Sequence, residues 1–400
     1  MTEAQPVTTT QPMARTCPFD PPSEYRTLRE QSPVAEVTLP DGLRGWLITG
    51  YEEARAVLAD PRFSSRRRGL RTGGAPAGDA PVPPPAPGMF ILMDPPEHTR
   101  LRRLLTGQFT VRRMRQLTPA VEKIVAEHLD ALAATEGRPV DLLQAFALPI
   151  PSLVICELLG VPYADRVEFQ RNSATLIRID ATPEELQQAQ QALNQFIGQL
   201  ALAKRTEPGD DILSGLVRSG ELTDEELAGV GVLLLLAGHE TTANMIALAT
   251  MCLLQNPGQW EALRADPSLM DGAVEELLRY LSVIQYGVRR TALEDVELGG
   301  HRIQAGSTVV ACLPSGNRDT EHFSGDPEQL DVHRPYSPHL AFGHGIHQCL
   351  GQQLARVEMK AALTALIERF PTLRLAVPVE QVPMRDNMIV YGVHELPVTW

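Results

Sequence analysis

The chain has 400 residues, 43% of them hydrophobic, which is an ordinary composition for a globular protein that buries a large core. Its net charge of -13 at pH 7 argues against generic nucleic-acid binding, so any cationic patch must be local. A disulfide framework, a zinc site or an iron–sulfur cluster is disfavoured because no CxxC pair occurs among the five scattered cysteines, Cys17, Cys156, Cys252, Cys312 and Cys349.

The first quarter of the chain contains few regular elements. Residues 1–16 are polar and lack the apolar run of a signal peptide, so we expect a flexible segment followed by a single domain over residues 17–400. A strand is predicted over residues 44–49, and the Pro-, Gly- and Ala-rich stretch 69–88 predicts a mobile loop. Asp94, followed by two prolines, is predicted to cap a helix.

Most segments from Asp94 to Gln255 are predicted to be helical. Thr223 and Glu226 form a capping box, and the helix they open can continue to Gln255, a length of ~50 Å at ~1.5 Å per residue. The most apolar run, residues 230–237, is far short of the ~20 residues that span a bilayer. We therefore expect a soluble, cytoplasmic protein.

Strands return in the last third of the chain. A hairpin is predicted over residues 296–303, where two consecutive glycines form the turn, and another strand over 308–313. Residues 388–393 and 396–400 are predicted to pair at the C-terminus. The fold class is therefore mainly α with small β-sheets.

Chemical features are densest in the segment from Phe342 to Gly351, which reads FGHGIHQCLG. Two glycines, Gly343 and Gly345, permit tight turns, and Cys349 stands at the start of a predicted helix, where a thiolate is stabilised. One thiolate without further cysteines suits an iron whose equatorial ligands come from a porphyrin. An inert buried cysteine and a redox-sensing or nucleophilic thiol remain alternatives.

A second constellation lies on the long helix, in Ala237-Gly238-His239-Glu240-Thr241. Gly238 is predicted to leave room on the face that carries the Thr241 hydroxyl, and Glu240 places an acid beside it. His239-Glu240 also begins the zinc-protease pattern HExxH, but Ala243 stands where the second histidine belongs.

These two segments resemble motifs of the cytochrome P-450 family: FGxGxHxCLG is its haem-binding pattern, and Ala-Gly-x-acid-Thr is its oxygen-activation pattern. The resemblance to the family extends over nearly the whole chain. The resemblance implies the P-450 fold, with haem b between the long central helix and the cysteine loop. It implies that Cys349 is the axial ligand of the haem iron. It also implies that Thr241 hydrogen-bonds bound dioxygen and that Glu240 relays protons.

The resemblance gives roles to further residues. Glu276 and Arg279, which alone would suit any amphipathic helix, match the ExxR motif, and Arg334 its third, structural partner. The other expected haem contacts are Phe342, Gly343, Gly351, Ala237 and Gly238. Propionate ligands are expected at His98, Arg102, Arg290 and His347, with Arg289 as an alternative to Arg290.

The implied activity is monooxygenation of a bulky, mainly hydrophobic small molecule, by hydroxylation or epoxidation, with a secondary metabolite (a polyketide, macrolide or terpenoid) or a foreign compound as substrate. A non-catalytic haem-thiolate sensor or partner-activating module is the alternative, but such a relative would be expected to lose Cys349 or the Glu240–Thr241 pair. Besides the 69–88 loop, the substrate pocket is predicted at Leu176, Ile179, Leu233, Leu234, Ile284, Val288, Met388, Ile389 and Val390.

The sequence contains no nucleotide-binding pattern, so NAD(P)H can act only through separate redox proteins. We expect a ferredoxin and its reductase as partners, neither nucleic acid nor membrane, and a monomer. Residues 98–117 contain no Asp or Glu, and a ferredoxin is predicted to dock at Arg103, Arg112 and Arg113.

Overall fold

Thirteen α-helices and three small sheets are found in residues 9–66, 84–137 and 139–400, the part of the chain that the computed structural model describes. The helices are α1 Glu24–Gln31, α2 Tyr51–Ala59, α3 Glu97–Thr106, α4 Val111–Ala134, α5 Pro149–Leu159, α6 Arg166–Ile177, α7 Pro183–Thr206, α8 Ile212–Ser219, α9 Asp224–Gln255, α10 Pro257–Ala265, α11 Met270–Leu281, α12 Leu313–Gly316 and α13 Gln352–Arg369. The predicted class, mainly α with small sheets, is confirmed.

Helix α9 forms the centre of the helical body. Its predicted start is confirmed, since the Thr223 hydroxyl accepts from Glu226 N–H and the Glu226 carboxylate accepts from Thr223 N–H. The helix has 32 residues and packs against α5, α7 and α13. By length and composition alone it could cross a membrane, but 78% of its most apolar window is buried inside the protein, as in the core helix of a soluble protein.

The strands form three sheets. They are β1 Thr9–Thr10, β2 Val34–Thr38, β3 Arg44–Ile48, β4 Phe63–Ser64, β5 Val140–Asp141, β6 Val288–Ala292, β7 Val296–Leu298, β8 His301–Ile303, β9 Thr308–Ala311, β10 Arg374–Leu375 and β11 Pro397–Thr399. The largest sheet has the order β1-β2-β3-β9-β6-β4, and β10-β11-β5 forms the second. β7 and β8 form the predicted hairpin, with Gly299 and Gly300 at positive φ in its turn.

The predicted strand pair at the C-terminus differs from the structure. Residues 388–393 do not pair with the last strand: Met388 and Val390 bridge to Arg178 and Ile284, whereas β11 pairs with β5 and β10. Within the segment expected to be flexible, β1 pairs with β2, and Gln11 is buried and hydrogen-bonded to Tyr25. Residues 1–8 lie outside the described part, as do residues 69–83 of the predicted mobile loop.

Asp94 is not a helix cap. Its carboxylate accepts hydrogen bonds from the Ser64 hydroxyl and the Ser65 backbone N–H, and α3 begins at Glu97. The side chain that sequence analysis assigned to a local turn therefore joins α3 to the segment that follows β4, a contact between parts of the chain 30 residues apart.

Candidate active site

The cysteine loop is held by its backbone. Cys349 N–H donates to Phe342 O at 2.9 Å, closing residues 342–349 into a turn in which Gly343 and Gly345 have positive φ. A Cβ at Gly345 would lie 2.4 Å from Leu58 O, so this glycine is required for the loop to pack against α2. The loop thereby places Cys349 three residues before α13.

The Cys349 side chain is accessible to solvent on one side. Enough protein atoms surround it on the others to desolvate the thiol. Burial raises the pKa of the thiol, and this effect outweighs the hydrogen bond from Gly351 N–H and the nearby charges of Arg102 and Arg356, which lower it. The hydrogen bond at the start of α13 thus lowers the pKa of the Cys349 thiol, as expected of a helix start, but by less than burial raises it. A metal cation at the sulfur would supply the missing stabilisation, since a coordinating thiol is deprotonated.

The four predicted propionate ligands lie together. The rings of His98 and His347 are 4.1 Å apart, and Arg102 and Arg290 are close enough to His98 that, with burial as the larger cause, they lower its pKa. Arg102 donates to Gln348 O at 2.6 Å, next to Cys349. Burial also lowers the pKa of Arg290, to about 10.

This cationic cluster needs an anion. His98 is only 2% exposed, and within the described residues neither of its ring nitrogens has a hydrogen-bond partner. Buried polar groups are normally paired, and two Arg with two His beside a cysteine loop suit a group with two carboxylates, as haem has. The residues present therefore fit haem.

Arg290, and not Arg289, belongs to the cluster. Successive side chains of β6 point to opposite faces of the sheet, and Arg289 turns to Asp41, with which it forms a buried ion pair. Of the two arginines that the sequence left open, Arg290 is therefore the one that lies beside His98.

On the central helix, the two residues of the acid–threonine pair face different surroundings. Thr241 is half-buried and its hydroxyl donates to Ala237 O at 2.8 Å. Ala237 is exposed in the middle of a helix that is otherwise mostly buried, so this face of α9 borders an open cleft. Glu240 is only 5% exposed and points elsewhere, to Arg385, whose Nη1 lies 2.8 Å from its Oε2.

Gly238 allows two helices to pack closely. A Cβ at this position would come within 2.7 Å of Ile155 on α5, so the missing side chain allows α5 to approach α9. His239 is fully buried, with Nδ1 at 2.6 Å from Leu235 O. In the described residues no group of three His, Cys, Asp or Glu could hold a metal ion, which leaves the zinc-protease alternative without support.

Glu276, Arg279 and Arg334 form the ion-pair network that the sequence led us to expect. Glu276 accepts two hydrogen bonds from Arg279, at 2.7 and 2.8 Å, and one from Arg334 at 3.1 Å. Arg279 also donates to the carbonyls of Asn317 and Pro327. The network joins α11 to the segment that leads into the loop.

Two functional neighbours were missed. Glu275, Arg356 and His339 form a second ion-pair cluster, in which Arg356 also lies 4.6 Å from the ring centroid of Phe342. Arg385 was missed because it lies in a C-terminal turn without a motif. Glu275 stands beside Glu276, but the pattern of an amphipathic helix gives no reason to bury two adjacent acids.

The predicted pocket segments 176–179, 284–288 and 388–390 come together in part. Main-chain hydrogen bonds join Ile389 to Ile177 and Tyr391 to Val283. Leu233 and Leu234 are buried in the large core that surrounds α9. Of the 69–88 loop, residues 84–88 are described, and Pro87 and Gly88 pack against Gly229 on α9.

Comparison with known proteins decides the family. The family model for cytochrome P450 matches residues 168–398. Cytochrome P450 105C1 of a Streptomyces species is 50% identical over 401 residues, covering 100% of both chains. The chain belongs to the cytochrome P450 family.

Two further relatives bear on the reaction. The P450 fold extends over nearly all of the chain, since CYP105P1, solved in complex with filipin I, superposes with a TM-score of 0.93 at 45% identity, covering 98% of this chain and 99% of that one. The 20-oxo-5-O-mycaminosyltylactone 23-monooxygenase of Streptomyces fradiae is 44% identical, covering 97% of this chain and 92% of its own. The protein is a cytochrome P450 monooxygenase, and haem is the cofactor that the family implies.

Proposed function

We propose that the protein inserts one oxygen atom of O2 into a bulky, mainly hydrophobic secondary metabolite of the macrolide, polyketide or terpenoid class, with electrons from a ferredoxin. The single observation that carries this proposal is the coexistence of an accessible Cys349, a buried cationic cluster and an accessible Thr241 in one P450 fold. The large ligands named for CYP105P1 and the Streptomyces fradiae enzyme support the substrate class.

The residues of the site have separate roles in haem binding and proton transfer. Haem with a thiolate ligand supplies reductive activation of O2 when it is bound. Cys349 would hold the iron, while His98, Arg102, Arg290 and His347 would bind the propionates. The Thr241 hydroxyl donates to Ala237 O in this structure, so it would have to turn from that carbonyl to donate its proton into the cleft, and Glu240 would resupply the proton.

The first test concerns the iron ligand, Cys349, and the proton donor, Thr241. Cys349→Ala should abolish the red-shifted Soret band of the ferrous carbon monoxide complex, whereas Cys156→Ala, which removes a buried thiol elsewhere, should keep it. Thr241→Ala should keep this band but divert electrons from NAD(P)H to hydrogen peroxide. A Cys349→Ala protein with the native spectrum, or fully coupled turnover in Thr241→Ala, would contradict the proposal.

The electron donor should dock on the start of α4, in a cytoplasmic, monomeric protein. Arg112 and Arg115 are exposed, and no ion pair recorded for the described residues involves them. Arg103 instead pairs with Glu221 at 3.5 Å, and Arg113 is half-buried, so these two predicted contacts are weaker candidates than Arg112. Val111, 48% exposed, adds an apolar contact beside Arg112.

Arg112→Glu with Arg115→Glu should therefore slow ferredoxin-supported turnover and flatten its dependence on salt, because steering by exposed charges is screened. Turnover driven by added peroxide should stay near the native rate. Lys123→Glu is the matched control, on the same helix about 16 Å further along. Equal losses in the two assays would mean that the arginines support the fold and not the partner.

A further inference from the structure

The Glu240 carboxylate is held on its buried side by several groups. Arg385 Nη1 lies 2.8 Å from Oε2, and Asn244 Nδ2 lies 3.5 Å from the same oxygen. His239 Nε2 lies 3.8 Å from Oε1. Arg385 and Glu240 are 7% and 5% exposed, so the ion pair is desolvated and its geometry, not screening by water, sets its strength.

Arg385 is fixed in a tight turn against α9. Its N–H donates to Gly392 O at 2.9 Å, and Gln285 Nε2 donates to its carbonyl at 3.2 Å. Gly392 brings this turn close to the helix, since a Cβ there would lie 1.8 Å from Asn244 Oδ1. The guanidinium therefore reaches Glu240 from a backbone that is itself anchored beside it.

The same turn is tied to the junction between α6 and α7. Ile179 N–H donates to Asn387 O at 2.9 Å, and Ile389 N–H donates to Ile177 O at 2.8 Å. Asn387 Nδ2 also donates to Asp180 at 3.0 Å. These hydrogen bonds surround the turn, so a shift of the junction, residues 177–180, must move the backbone that carries Arg385.

We propose that Arg385 is a positioning residue that restrains Glu240 until the α6–α7 junction moves. While Arg385 occupies Oε2, the carboxylate points away from the Thr241 face. Displacement of the turn releases that oxygen to take up a proton from solvent and pass it to the Thr241 hydroxyl, which gives up its own proton into the cleft. This inference rests on the proposed role of Glu240 in proton delivery. It makes proton supply depend on a ligand that touches the junction.

The restraint on Glu240 should have its largest effect on the reaction that runs without substrate. Arg385→Gln should raise substrate-free consumption of NAD(P)H several-fold, with hydrogen peroxide as the product, and should change the solvent isotope effect on that rate. Arg385→Lys, which keeps the charge, should show a smaller change. The rates are compared at ferredoxin concentrations above which they no longer rise, so that electron supply is not limiting.

The pH profile of this reaction is a second readout. The charged and titratable groups that face the pair are His239 on α9 and, from the C-terminal segment, Asp386 and His394. Glu380→Gln removes an exposed charge of the same C-terminal segment and should leave rate, isotope effect and profile unaltered. Arg385→Gln should shift the pH dependence of the rate in the native background but not in the Glu240→Gln background.

A double variant separates the outcomes. If Arg385 acts through Glu240, Arg385→Gln should have no further effect on the isotope effect in a Glu240→Gln background. Native rates and isotope effects in Arg385→Gln, with a clear defect in Glu240→Gln, would overturn the inference and leave the proposed function intact. A Glu240→Gln protein with native coupled turnover would overturn both. The carbon monoxide spectrum of each variant verifies that the haem site is assembled.

Discussion

The cluster of Glu275, His339 and Arg356 predicts how the stability of the protein depends on pH. Arg356 holds both carboxylate oxygens of Glu275, at 2.6 and 2.9 Å, and His339 lies 3.1 Å from one of them. Burial alone would raise the pKa of Glu275, but the hydrogen bonds from His339 and Arg356 overcome this and lower the pKa to about 2.

A carboxyl group whose pKa is lower in the folded than in the unfolded protein stabilises the fold above its unfolded pKa, and this stabilisation is lost as the pH falls towards the folded pKa. With a usual value of 4.5 and a folded value of about 2, Glu275 contributes roughly 3 kcal/mol at pH 7. The contribution should be about 1 kcal/mol smaller at pH 4.

Glu275→Gln should therefore lower the free energy of unfolding by up to roughly 3 kcal/mol at pH 7, and by less at pH 4. The assay is urea unfolding of the haem-bound protein, followed by tryptophan fluorescence and circular dichroism, with coincident transitions required. Glu261→Gln is the control, because its ion pair with Arg264 is exposed and no resolvable change is expected. Equal destabilisation by Glu275→Gln at both pH values would refute the electrostatic reasoning and indicate lost packing.

Two further predictions follow from the geometry of the site. Arg290→Gln should weaken haem retention, measured by transfer of haem to apomyoglobin, with little loss of fold stability. Arg289→Gln should lower the fold stability with little effect on haem retention, since it leaves Asp41 without its buried partner. Gly392→Ala should destabilise the protein by about 1–3 kcal/mol in urea unfolding, because its Cβ would overlap Asn244, whereas Gly272→Ala on α11 meets no atom within 4 Å and should be neutral or stabilising.

The sequence predicted those features whose cause is local. The capping box at Thr223, the turn at Gly299 and the cysteine loop each depend on residues within ten positions, and each is found in the structure. The ion pair of Glu240 with Arg385 joins residues 145 positions apart, and no periodicity encodes it. Asp94 was misassigned for the same reason, since its partners Ser64 and Ser65 precede a segment that no local pattern connects to α3.

The acid–threonine motif identifies Glu240 and Thr241 but does not give the orientation of their side chains. Adjacent residues on a helix are separated by about 100°, so Glu240 and Thr241 cannot face the same surroundings. Thr241 opens to the cleft beside Ala237, whereas Glu240 is enclosed with Arg385 and Asn244. If Glu240 delivers protons, its side chain must either turn by a rotamer change or use bridging water, and the first route requires release from Arg385. The motif therefore identifies the two groups, but the residue that controls their cooperation comes from the far end of the chain.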